Sequence, residues 1–133
     1  MKHSDARSKA LSCVRFALER KAYDLVLMEV GKLTSLADFF VICTGRSDTQ
    51  VQAIAQSIQE NLGAQGHKTL AIEGYSHGQW VVLDYGDVVV HIFYEPVRQF
   101  YDLERLWARA PRVTLPEPYH SQARDLRLAN EAR

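Results

Sequence analysis

The sequence predicts a single α/β (α+β) domain, with helices packed against a mixed sheet of about five strands. Three observations carry that expectation. Stretches of helical periodicity and β-rich stretches follow one another in the order α-β-β-α-β-β-β-α. The 133 residues, 47% hydrophobic and 24% charged, suffice for one good core but not two. One stretch, Phe39-Phe40-Val41-Ile42-Cys43, is apolar without alternation, as expected of a central strand covered on both faces.

Each element has its own local signal. Over Asp5–Arg20, Leu11, Val14 and Leu18 recur at helical spacing with Ala10 and Ala17 beside them, which predicts an amphipathic helix. Asp24–Val30 reads as a first strand closed by Gly31, and Phe39–Cys43 as the second. Val51, Ile54, Ala55, Ile58 and Leu62 then mark a second helix, opened by Ser47 and Gln50 at capping-box spacing and ended by Gly63 and Gly66. Lys68–Glu73 is a weaker third strand. Trp80–Leu83 and Val88–Tyr94 flank the turn Asp84-Tyr85-Gly86-Asp87, which predicts a hairpin with Gly86 at positive φ. Pro96 suits the first position of a helix running to Ala108, with Phe100 and Trp107 on one core-facing side. Three of the four prolines fall at 111, 116 and 118, where apolar periodicity stops. The domain is therefore expected to span 1–110, with 111–133 an extended, mobile tail.

Composition excludes several classes of function. Sixteen basic residues balance sixteen acidic ones, so no global basic field favours bare nucleic acid. No apolar run approaches a membrane span, and the N-terminal residues carry no apolar signal region. Two cysteines, Cys13 and Cys43, make no disulfide framework, and a cytoplasmic protein is expected.

Candidate chemistry is sparse. Thr44-Gly45-Arg46-Ser47-Asp48 joins a strand to a helix, where backbone N–H groups can bind an anion. It lacks the Gly-Lys-Ser/Thr end of a phosphate loop and the second glycine of a nucleophile elbow, so Ser47 is read as a helix cap. Asp84 and Asp87 straddle a turn, where solvated, backbone-bonded aspartates are common. The histidines have no metal-ligand spacing, and His91, alternating with Val89 and Phe93, is expected to be hydrogen-bonded and partly buried. No cofactor or metal is implied. Trp80 at the hairpin entry and Tyr85 at its tip offer the aromatic character of a partner surface, with core packing the competing reading for Trp80.

The stretches LADFFVICTG, RSDTQVQAIA and WVVLDYGDVVVHIF with RQFYDLERLW, in this order and spacing, resemble the ribosomal silencing factor family, also called Iojap-like proteins. The resemblance covers most of residues 5–109. It implies a nucleotidyltransferase-like scaffold without its metal site, because Arg46 splits Gly45 from Ser47 and no Asp-x-Asp follows. It further implies a non-enzymatic translational repressor. Such a protein binds the large ribosomal subunit through ribosomal protein fourteen, blocks joining of the small subunit, and is linked to subunit maturation. Carried over by position, Trp80 and Tyr85 are the expected contacts, with Tyr101 at the rim. Arg46, Arg98, Arg105 and Arg109 are placed to touch nearby rRNA phosphates, and a homodimer of the free protein is expected on an overlapping surface. The competing readings are a nucleotide-binding or nucleotidyltransferase-like enzyme built on the Thr44–Asp48 turn, and a dimerisation module without a ribosomal target.

Overall fold

A computed structural model describes residues 2–132, with side chains from residue 5 onward. Its elements run α1 (Lys2–Glu19), β1 (Tyr23–Glu29), β2 (Phe39–Gly45), α2 (Asp48–Ala64), β3 (Ala71–Glu73), β4 (Trp80–Asp84) and β5 (Val88–Tyr94). Then follow α3 (Glu95–Tyr101), the single turn α4 (Leu103–Leu106) and α5 (Tyr119–Glu131). The five strands form one mixed sheet in the order β1-β2-β5-β4-β3. Only the central β2–β5 pair is parallel, in register from Phe39↔Val88 to Gly45↔Tyr94. The flanking pairs are antiparallel.

Every residue of β2 is buried, which explains its unbroken apolar run. Helices α1 and α2 cover one face of the sheet. Ala10, Cys13, Val14 and Ala17 of α1 meet Val51, Ile54, Ile58 and Leu62 of α2 over Val41, Cys43, Val90 and Ile92. A smaller cluster on the opposite face holds Phe40, Ile42, Phe93 and Leu103, with Trp80, Val89 and Trp107 packed against it. The two faces therefore differ: one is sealed by long helices, the other only by α3, α4 and the segment after them.

Ser47 caps α2 as expected, its Oγ accepting from Gln50 N at 3.0 Å. The reciprocal half of the box is shifted by one residue, because Gln50 Oε1 accepts from Arg46 N at 2.7 Å. Gly86 takes φ 88°, and Tyr85 N donates to Val88 O to close the hairpin.

Three expectations need correction. The helix after Pro96 does not run through to Ala108. Asp102 adopts a left-handed conformation (φ 48°, ψ 53°), ends α3 and restarts the chain as α4. Phe100 and Trp107 consequently lose their common face: Phe100 is 80% exposed, while Trp107 packs edge-on against Phe40 at 5.1 Å. The third change concerns 111–133, which docks on the domain instead of trailing from it. Glu29 N donates to Pro111 O, Val113 N donates to Leu27 O, and Met28 bridges to Arg112, so this segment covers the β1 edge. Val113, Leu115, Tyr119, Ala123 and Leu126 then lay a half-buried apolar stripe on the main core. Their spacing within α5 (119, 123, 126) is helical, but each buries too little to announce itself in composition.

Candidate functional site

The alternation of β4 decides which residues reach the thinly covered face. Trp80 lies opposite Phe93 and Val82 opposite His91, so these four side chains share that side. Val81 and Leu83, fully buried, point the other way into the α1/α2 layer. Trp80 itself is half-buried. Its indole stacks on Phe93 at 4.8 Å and meets the Tyr101 ring from α3 at 4.9 Å. Its Nε1–H donates to His91 Nδ1 at 3.2 Å. His91, buried as its alternation suggested, also stands edge-on to Phe40. Burial pushes its pKa down to about 4, so the ring is neutral near pH 7.

The loop before β4 sets where Trp80 begins. Gly74 has φ 79°, and a Cβ there would stand 2.1 Å from Trp80 O, so the chain can pass only as glycine. Gln52 of α2 donates to Tyr75 O at 2.8 Å and ties this loop to the helix layer.

Tyr101 is 52% exposed and the adjoining Phe100 80%; Leu106 of α4 is also exposed, by 77%. The Phe100 and Tyr101 rings meet edge to face at 5.0 Å. Trp80 and Tyr101 thus come together in one aromatic patch, continued by Phe100. The sequence reading missed Phe100 as a surface group, since helical spacing alone places it on one side with Trp107.

Tyr85 does not join them. It is 4% exposed and belongs to the core beneath α1 and α2. The alternation that puts Val81 and Leu83 inward simply continues one step past the end of β4. Its side is therefore fixed by the pleat, not left free by the turn, and burial raises its hydroxyl pKa.

Arg98 is also not a free surface cation. Its guanidinium donates to Asp24 O and to Thr44 Oγ1, and pairs with Glu104 at 2.8 Å. These bonds tie α3 and α4 to β1 and β2, and so hold Tyr101 beside Trp80. Burial pushes the Glu104 carboxyl up, but the Arg98 hydrogen bond and charge outweigh it and leave it below its ordinary range. Arg46 lies over the Tyr23 ring at 5.9 Å, while Arg105 and Arg109 are exposed.

The turn residues of the enzyme reading are occupied structurally. Arg46 N donates to Gln50 Oε1 in the first turn of α2, while Thr49 N and Gln50 N donate to the side chains of Asp48 and Ser47. Asp84 Oδ1 accepts from Gly86 N, and Asp87 pairs with Lys9 at 2.8 Å. Cys13 and Cys43 are free and buried, with Cys43 pushed up to about 12 by burial. Among the described residues, no helix is long and apolar enough to cross a membrane.

Helices seal one sheet face here and a cluster of aromatic rings occupies the other, the layout of an α/β domain covered unequally on its two sides. The family model described as ribosomal silencing factor during starvation matches residues 3–133, and the chain belongs to that family. The match includes 111–133, which the sequence reading left outside the resemblance. The chain is 43% identical over 97 residues to the ribosomal silencing factor of Halalkalibacterium halodurans, covering 73% of this chain and 83% of that protein. It is 40% identical over 97 residues to the Bacillus subtilis ribosomal silencing factor, covering 73% and 82%. Among solved structures, a Chromobacterium violaceum protein matches with a TM-score of 0.72 at 33% identity, covering 90% of this chain and 98% of that one. A Bacillus halodurans protein matches with a TM-score of 0.70 at 38% identity, covering 84% and 99%.

Proposed function

We propose that this ribosomal silencing factor represses translation by docking on the large ribosomal subunit through ribosomal protein fourteen, where its bulk blocks the approach of the small subunit. No covalent step is needed; occupancy of the joining face suffices. The observation that carries the reading is the Trp80–Tyr101 pair on the thinly covered sheet face, with Phe100 exposed beside it. Large aromatic side chains held in place by their neighbours contribute strongly to contact surfaces. The zero formal charge favours a protein patch over bare rRNA as the main target. Arg105 and Arg109 are the cations best placed for peripheral phosphates, since Arg98 is engaged internally.

The docking set is thus Trp80 and Tyr101, with Phe100 added and Tyr85 removed. A role in large-subunit maturation is compatible with the same docking, and a homodimer of the free protein would cover the same patch. Action in the cytoplasm is part of the same proposal. Trp80→Ala is expected to weaken binding to purified large subunits by about 2 kcal/mol, roughly 30-fold. Cosedimentation on a sucrose gradient tests this, with thermal unfolding as the check that the variant is folded. Undiminished binding by a folded variant would exclude Trp80 from the docking surface.

A further inference from the structure

Trp80 would be free to adopt several poses on a half-open face unless something held it, and its only polar atom points inward. The indole Nε1–H donates to His91 Nδ1 across the β4–β5 pair. An indole nitrogen can only donate, so His91 Nδ1 must be unprotonated, and in the neutral ring Nε2 carries the hydrogen. That Nε2 is buried and has no hydrogen-bond partner among the described residues. A histidine here therefore carries a cost that valine or phenylalanine would not, within a strand otherwise built of Val, Ile, Phe and Tyr. The one polar return visible for that cost is the bond to Trp80.

We infer that His91 is a positioning residue for the docking tryptophan: its Nδ1 anchors the indole against Phe93 and turns the outer part of the ring toward the partner. The inference rests on the docking role proposed for Trp80. Three contacts then define the pose: the stack on Phe93, the ring contact with Tyr101 and the hydrogen bond to His91. The two ring contacts tolerate sliding, whereas the hydrogen bond is directional and sets the rotation of the indole about its own axis. Because the N–H is already spent, the ring presents carbon to a partner. The matching surface is apolar, such as an aliphatic or aromatic side chain, and not a hydrogen-bond acceptor aimed at the indole nitrogen.

Two readouts on the full-length chain test this. The first is hydrogen exchange and chemical shift of the Trp80 indole N–H by NMR, assigned with Trp80→Phe and using Trp107 as internal control. The second is affinity for purified large subunits. His91→Phe keeps an aromatic ring but removes the acceptor, while His91→Asn places an amide oxygen near the former Nδ1. In His91→Phe the Trp80 indole N–H should exchange about fivefold faster or more, and subunit affinity should fall by a similar factor. His91→Asn should restore both toward the original values, which a loss of packing alone would not. Unchanged exchange and shift in His91→Phe would overturn the anchoring. Lost protection with unchanged affinity would overturn its part in docking. If Trp80→Ala itself leaves subunit binding intact, the docking reading fails, while the indole signal still decides the anchoring.

Discussion

Arg98→Met removes the charge that joins α3 and α4 to the sheet while keeping most of the side-chain volume. The native guanidinium serves three acceptors: Asp24 O, Thr44 Oγ1 and the Glu104 carboxylate. The Arg98 and Glu104 side chains are only 11% and 19% exposed, so their ion pair is shielded. Breaking a buried pair by removing one partner costs about 3–5 kcal/mol, and residual solvent contact places this case near the lower end, about 3 kcal/mol. For a chain of this size that corresponds to a fall in Tm of about 10 °C. Urea denaturation monitored by circular dichroism, with calorimetry for Tm, measures both quantities. Replacing Glu104 by Gln in the same chain should recover part of the loss, since no unpaired carboxylate then remains. A single-variant loss below about 0.5 kcal/mol, the scale of an exposed pair, would refute the view that Arg98 anchors the aromatic patch.

Other perturbations separate core from surface and tail from domain. Tyr85→Ala should cost about 3 kcal/mol of stability through cavity formation, whereas Tyr85→Phe should leave large-subunit binding unchanged; lost binding by a folded Tyr85→Phe would return this residue to the docking surface. Truncation after Pro111 removes the Val113 bond to β1 and the α5 stripe, and should lower Tm by about 5 °C or more in calorimetry. An unchanged Tm would mean that the segment contributes nothing to the fold. His91 titrates near 4 when folded against 6.5 in its ordinary state, so the unfolded chain binds the proton first as pH falls. The fold carries no protonation penalty from His91 above about pH 6.5, and loses stability as pH falls toward 4, by about 3 kcal/mol in all. Relative to His91→Phe, the native chain should therefore lose about 3 kcal/mol of stability as pH falls across that window, and parallel pH profiles would contradict the neutral burial of His91.

The central elements were legible because their signals are local. The unbroken apolar run of β2, the five-residue stripe of α2 and the Gly86 turn each specify their structure without reference to distant residues. What escaped depended on tertiary context. Asp102 breaks the helix in a conformation seldom taken by residues other than glycine, with no Gly or Pro to mark it, and Phe100 and Trp107 lose their common face in consequence. The stripe from Val113 to Leu126 is sparse and gains its burial only from the exposed flank of β1 and α1. Tyr85 was readable in principle: extending the β4 alternation one residue into the turn places it inside. Arg98 looked like any exposed cation until the fold brought Asp24, Thr44 and Glu104 around it. The pairing of Trp80 with His91 needed the register of β4 on β5, which no single strand encodes.

The most direct test of the proposed silencing mechanism is a sucrose-gradient assay with purified subunits, in which the native chain and a folded Trp80→Ala variant are each added before subunit joining. The native chain should travel with the large subunit and reduce formation of the joined ribosome, while Trp80→Ala should remain near the top and leave joining intact. Native protein that stays at the top, or a folded Trp80→Ala variant that binds and blocks joining as well as the native chain, would contradict the account.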